Sequence, residues 1–309
     1  MRDAFIRGLT TLAERDERVV LLTGDLGFRI FDDFARRFPG RFLNAGVAEA
    51  NMIGVAAGLA LAGFRPFAYS IVPFVTLRCL EQIRNDVCYH RAPVTIVGVG
   101  GGFSYGPNGP THHALEDIAV MRTLPNLTVV CPGDPAEAEL SIAAIGGHDG
   151  PVYLRLGRAG DPVVHEQRPG LRIGEALTIQ EGRDCALIST GGILPVVATA
   201  ASLLRARGIH ARVLSMHTVK PLDTSALERC CADGLPIFTI EEHGVTGGFG
   251  SAVGEWLRER GVDHRLVCLG CRNEFTHQTG SQSFLRKAEG LTAEDIADRV
   301  AASLEAVPC

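Results

Sequence analysis

No stretch of the 309-residue chain is apolar for long enough to cross a membrane. The longest, 52–63, is interrupted by Gly54, Gly58 and Gly63, whereas a spanning helix needs about 20 apolar residues. Lysine is almost missing, with Lys220 and Lys287 the only two, and acids outnumber bases to give a net charge of −5. A basic face for nucleic acid or anionic lipid is therefore not expected. The opening residues, MRDAF, have no hydrophobic leader core, so the expectation is a cytoplasmic protein. The nine cysteines are scattered and odd in number, which predicts reduced thiols rather than a disulfide framework. Cys268 and Cys271 form a lone CxxC without a second pair at zinc spacing, so no metal site is expected. With 46% hydrophobic and 21% charged residues, the rest is an ordinary globular mixture, which excludes disorder, collagen and coiled coil for the bulk of the chain.

Short β-branched runs at 18–23, 93–99, 127–131 and 152–156 alternate with helical patterns at 3–15, 49–62, 75–89 and 135–144. Strands without polar alternation, separated by helices, predict a mostly parallel sheet covered on both faces. Residues 157–170, rich in glycine and proline, break the pattern. A second set follows, with strands at 185–189, 211–215, 237–241 and 265–269 and helices at 194–207 and 250–260. The expected fold class is α/β with two doubly wound domains, 1–160 and 171–309, joined by a linker at 161–170.

Four segments carry candidate chemistry. In Asn44-Ala-Gly-Val-Ala-Glu49 a carboxylate opens an apolar, Gly- and Ala-rich helix. Such a helix must be buried, and burial among apolar groups disfavours the charged carboxylate and suits proton transfer near neutral pH. A first-turn acid favoured by the helix dipole is the alternative. The segment 98–113 (GVGGGFSYGPNGPTHH) puts six glycines after a strand and ends in His112 and His113, allowing backbone to lie against a ligand at the carboxyl end of a parallel sheet. Its glycine spacing does not fit a dinucleotide fingerprint. The run 69–77 (YSIVPFVTL), with Phe74 in its middle, reads as core. The run 241–251 (EEHGVTGGFGS) offers either an anion site at a helix N-terminus or tight structural turns at an interface, and the turns are preferred.

Taken in order, Gly46-Val-Ala-Glu49, Gly109-Pro-Thr-His112, Leu124-Pro-Asn, Pro132-Gly-Asp-Pro135, Val219-Lys-Pro-Leu-Asp223 and Gly247-Gly-Phe-Gly-Ser251 resemble the transketolase family. The chain is similar to the C-terminal subunit of a split transketolase and to the matching part of deoxyxylulose-phosphate synthase. The resemblance implies a thiamine-diphosphate pyrimidine-binding domain followed by a transketolase C-terminal domain. It implies transfer of a two-carbon ketol unit from a ketose, or ketose phosphate, to an aldose. It casts Glu49 as the catalytic partner of the cofactor's aminopyrimidine, Phe74 as the aromatic stacked on that ring, and Ile71, Leu77 and Asp25 as further cofactor contacts. His112 becomes a substrate-facing catalytic residue, Asn108 a substrate contact, and Arg158 a contact for substrate phosphate.

Two departures shape the reading. An aspartate usually precedes Gly-Pro-Thr-His in the family, whereas Asn108 stands here, and a histidine near the end of the preceding strand is replaced by Gly100 or its neighbours. Losing polar partners changes specificity for a polyol steeply, which points away from the usual pentose and heptose phosphates and toward a modified sugar. The family's Gly-Asp-Gly…Asn signature for Mg²⁺ and the diphosphate has no counterpart: Gly24-Asp25-Leu26 lacks the second glycine, and His148-Asp-Gly150 has no suitable asparagine. The resemblance therefore implies a separate diphosphate-binding, N-terminal transketolase subunit that holds Mg²⁺. A homodimer core would sit within a heterotetramer of two copies of each chain. The alternatives are a beta subunit of a 2-oxoacid dehydrogenase-like complex and a non-catalytic assembly subunit. Retained Glu49 and His112 argue against the second.

Overall fold

The computed structural model describes residues 1–158 and 160–306. Twelve strands build two sheets. β1 (Val19–Thr23), β2 (Phe42–Asn44), β3 (Arg65–Ile71), β4 (Thr95–Val99), β5 (Thr128–Val130) and β6 (Val152–Leu156) precede the linker, and β7 (Leu177–Gln180), β8 (Cys185–Thr190), β9 (Ala211–Ser215), β10 (Thr218–Lys220), β11 (Ile237–Gly244) and β12 (Leu266–Cys271) follow it. The first sheet runs β10-β5-β6-β4-β3-β1-β2 and the second β12-β11-β8-β9-β7. Pairing is parallel except for β10 on β5 and β7 on β9. Both sheets are therefore the expected doubly wound α/β type.

Burial explains the strand composition. Every residue of β1, β4, β6 and β8 is buried, because helices cover both faces of each sheet. In the first sheet, Val20, Leu22, Ala68 and Ile96 point toward Met52, Ile53 and Ala56 of helix Glu49–Leu61. Val19, Leu21, Phe67 and Val97 point the other way, toward Phe5 and Leu9 of helix Arg2–Arg15 and Ile142 of helix Pro135–Gly146. Capping follows the sequence: Asp134 accepts from Glu137 N at 2.8 Å with Pro135 next to it, and Thr292 and Asp295 form a capping box for helix Ala293–Glu305. No helix among the described residues is long and apolar enough to cross a membrane.

Several expectations are corrected. The helix expected at 75–89 is broken into short turns at Val72–Val75 and Leu80–Gln82 and a π-helical turn at Ile83–Cys88. The run 69–77 spans the end of β3 and the turn after it, with Tyr69, Val72 and Val75 buried as core and Leu77 exposed. Pro66 hides that strand in the sequence. Arg65 N bonds Arg18 O on the β1 side, so position 66 faces the β4 side, where pairing starts only at Phe67 and no donor is needed. β10 lies beyond the linker in sequence yet belongs to the first sheet, with Cys131 N donating to His217 O at 2.6 Å. The linker is also tied down. Asp134 accepts from Val164 N at 2.8 Å, and Glu137 meets His165 Nε2 at 2.8 Å and accepts from Gly133 N and from Ser215 Oγ. Asp134, Glu137 and His165 are clustered as metal ligands would be. Their oxygens, however, already accept from the chain's own donors, and the cluster works as a polar clasp.

Candidate active site

The parallel strands β1, β2, β3 and β4 end at one edge, and the segments leaving them carry most of the candidate residues. Glu49 is the first residue of helix Glu49–Leu61, whose N-cap Ala48 gives no side-chain bond. An acid there is favoured by the free amides and dipole of the first turn. Its side chain is only 2% exposed. One carboxylate oxygen accepts from Ser70 Oγ on β3 at 3.3 Å and the other from Arg78 at 2.7 Å. The expectation of a carboxyl held among apolar groups alone is thus corrected: a guanidinium sits on it. Gly24 makes room for this carboxyl, since a Cβ there would stand 3.3 Å from Glu49 Cγ.

Phe74 lies on the short turn that follows β3. The Arg78 guanidinium stacks over its ring at 4.7 Å from the centroid. His112 meets the same ring edge to face at 5.1 Å. Tyr105 stands 6.5 Å from His112, and Thr111 Oγ1 lies 3.0 Å from His112 Nδ1. Burial holds the His112 imidazole below its ordinary pKa, reinforced by neighbouring His113. This favours the neutral ring, in which one nitrogen donates and the other accepts.

Asp25 follows Gly24 at the end of β1 in a left-handed conformation (φ 57°). Its amide donates to Asn44 Oδ1 at 3.1 Å, and its carboxylate accepts from Asn44 Nδ2 at 2.9 Å. Asn44 Oδ1 also accepts from Gly46 N at 3.0 Å. One amide side chain thus joins the Asp25 turn to the turn that leads into Glu49.

The remaining expected residues lie less centrally. Asn108 is exposed on the glycine-rich loop, and Leu77 is 42% exposed. Ile71 ends β3 but packs against the core cluster on the sheet face opposite Glu49's helix. Arg158 makes no side-chain bond to the cluster. It lines a cavity of about 420 Å³ with Gln282, Arg286 and Pro195. Arg78, Ser70 and Asn44 were missed by the sequence reading. Only Asn44 left a signal, as the polar residue opening the Gly46 turn.

The glycine-rich loop is anchored by both sheets. Arg155 on β6 donates to Asp117 at 2.7 Å, to Ala114 O at 2.8 Å and to Glu242 O at 3.2 Å. Glu242 on β11 accepts from Phe103 N at 2.6 Å and pairs with Arg286. Gly102 must be glycine, because its φ is +64° and a Cβ would lie 2.6 Å from the Glu242 carboxyl. The run 241–251 ends β11, turns at 245–248 and opens helix Phe249–Glu259. Glu241 accepts from Phe249 N at 2.7 Å and Gly250 N at 2.8 Å, so the chain's own carboxylate fills that helix N-terminus. Burial pushes the Glu241 carboxyl up to about 7, opposed by the bonds from these amides. The eight described cysteines, Cys268 and Cys271 included, are free thiols.

The family model described as "Transketolase, pyrimidine binding domain" matches residues 1–160, and "Transketolase, C-terminal domain" matches 174–296. The chain is 36% identical over 303 residues to a "Putative transketolase C-terminal section" of Methanocaldococcus jannaschii, covering 97% of this chain and 95% of that one. It is 38% identical over 297 residues to a 6-deoxy-6-sulfo-D-fructose transketolase subunit of a Clostridium species, covering 96% and 92%. A solved structure described as "Split gene transketolase, inactive beta4 tetramer" superposes with a TM-score of 0.90 at 37% identity, covering 98% of each chain.

Proposed function

The chain belongs to the transketolase family, and from that premise we propose that it is the Glu49-bearing subunit of a two-chain, thiamine-diphosphate-dependent transketolase. The carrying observation is that a buried carboxylate, Glu49, and a half-buried aromatic ring, Phe74, share the Arg78 guanidinium where parallel strands end. That pair fits an aminopyrimidine, which offers a flat face for stacking and a ring nitrogen for a carboxyl partner. The cofactor, when bound, supplies the carbanion chemistry of ketol transfer.

The chain's own residues then have these roles. Glu49 hydrogen-bonds the pyrimidine nitrogen and holds the proton exchanged there. Phe74 fixes the ring plane, and His112, against the edge of Phe74, hydrogen-bonds a substrate oxygen. Asp25 and Asn108 lie at the mouth, Leu77 flanks the wall, and Ile71 backs it from the other face of the sheet. Arg158 serves a more distant phosphate or other anionic end of the substrate. The neutral Asn108 supports a modified sugar as substrate, in keeping with the sulfo-sugar named for one relative. Residues 1–160 form the pyrimidine-binding domain, 161–170 the linker and 171–309 the C-terminal domain. Mg²⁺ and the diphosphate belong to a separate subunit. Support comes from relatives named as transketolase subunits and from the structural neighbour, a split-gene transketolase whose beta4 tetramer is described as inactive. Two copies of each chain would make the working assembly.

The test is Glu49→Gln in the complex reconstituted with the diphosphate-binding chain. Turnover is expected to fall about a hundredfold or more, the usual loss when a proton-transfer group is removed. Near wild-type turnover overturns the assignment.

A further inference from the structure

Arg78 belongs to none of the motifs through which the chain resembles its family, yet it touches both residues placed on the pyrimidine. Its guanidinium is 2.7 Å from Glu49 and 4.7 Å from the centre of the Phe74 ring. We propose that Arg78 is a positioning residue. It ties the Glu49 carboxylate to the aromatic wall, so that carboxylate and ring present themselves to the cofactor as one unit. This rests on the reading of Glu49 and Phe74 given above.

The backbone explains how Arg78 comes to be there. After the turn Val72–Val75, Thr76 Oγ1 donates to Val72 O at 2.6 Å, Arg78 N to Pro73 O at 3.3 Å, and Cys79 Sγ to Phe74 O at 3.2 Å. This tight winding replaces the regular helix that periodicity predicted. It carries Arg78 back over the ring four residues earlier.

The pair is not an ordinary surface salt bridge, which would contribute little. The Arg78 side chain is 49% exposed, whereas that of Glu49 is 2% exposed. A carboxylate so removed from water needs a strong partner. Ser70 supplies only a neutral contact at 3.3 Å, and the shorter, charge-assisted bond comes from Arg78. The orientation of the carboxylate is therefore set by the guanidinium, and that of the guanidinium by the ring it lies on.

The experiment titrates thiamine diphosphate with Mg²⁺ by calorimetry into the complex with the diphosphate-binding chain. Arg78→Met keeps the aliphatic stem and loses the charge, and is expected to weaken binding about tenfold or more. Arg78→Lys keeps the charge without the planar fork, and should recover to within about threefold of wild type. In a Glu49→Gln background, Arg78→Met should change affinity less than about threefold, because its action runs through Glu49. Equal losses in both backgrounds, no loss, or tighter binding of the Met variant overturns the proposal; tighter binding would make Arg78 an occupant that the cofactor displaces. If Glu49→Gln itself leaves affinity unchanged, the reading of Glu49 fails and takes this one with it. If Glu49→Gln weakens binding and Arg78→Met does not, only the role of Arg78 fails. A circular-dichroism melt within a few degrees of wild type establishes that each variant is folded.

Discussion

Replacing Arg155 by methionine should cost the protein about 3–5 kcal/mol of stability, the usual loss when one partner of a buried ion pair is removed. The side chains of Arg155 and Asp117 are 5% and 1% exposed. The guanidinium makes two bonds to Asp117, at 2.7 and 3.2 Å, and one each to the carbonyls of Ala114 and Glu242. Methionine fills much of the volume and restores none of these. Asp117 would keep only the Tyr153 hydroxyl at 2.7 Å, an uncompensated charge in a place water does not reach. The assay is urea unfolding followed by the fluorescence of Trp256, the only tryptophan. With an m-value of about 3 kcal/mol/M for a chain of this size, the midpoint should fall by about 1 M or more. Replacing Asp117 by leucine in the same molecule removes the stranded charge, so the double variant should be more stable than Arg155→Met alone by at least about 1 kcal/mol. A loss under about 1 kcal/mol for the single variant, or a double variant that is worse, would refute the reasoning.

Two further outcomes are expected. The His165 imidazole is held above its ordinary pKa by its hydrogen bond to Glu137, against the opposing effect of burial. A raised basic group stabilises the fold fully below its unfolded pKa, about 6.5, and loses that contribution as pH rises through the folded value. The stability advantage of wild type over His165→Gln should therefore shrink as pH is raised from 6, and urea midpoints that stay equally far apart from pH 6 to 9 would contradict it. Gly24→Ala should push the Glu49 side chain aside by a few tenths of an ångström, because the new Cβ lies 3.3 Å from Glu49 Cγ. Its melting temperature should change by no more than a few degrees while cofactor affinity in the complex drops several-fold; unchanged affinity would mean that the position of the carboxyl is not critical.

The sequence was most legible where one residue's environment is set by its neighbours in the chain. Burial on both faces of a sheet leaves an unbroken apolar run, so β1, β4, β6 and β8 could be read directly. The helical pattern at 135–144 was likewise readable, and Asp134 caps that helix. Glu49 could be placed at the head of a buried helix because the residues after it are small and apolar. Order also mattered, since six short motifs in one sequence carry a family likeness that none carries alone. Pro66 and the irregular winding after Val72 hid β3 and the turns beyond it, because local preference there is overruled by which side of the strand needs a donor.

Partners distant in the chain were decided by tertiary structure alone. Nothing near Glu49 in sequence announces Arg78, and nothing near Arg155 announces Asp117 and Glu242. A buried charge must be matched by some opposite charge, but the sequence does not say which. Topology chooses the partner by bringing the ends of β1, β2, β3 and β4 to one edge and by sending β10 across the linker into the first sheet. The sequence by itself determined the fold class, the family and the residue that opens the Glu49 helix. The fold decided that this carboxylate is held by a guanidinium rather than left among apolar groups. It also decided that the loop bearing His112 is anchored by both halves of the chain, because desolvated charges and amides must find their partners in space.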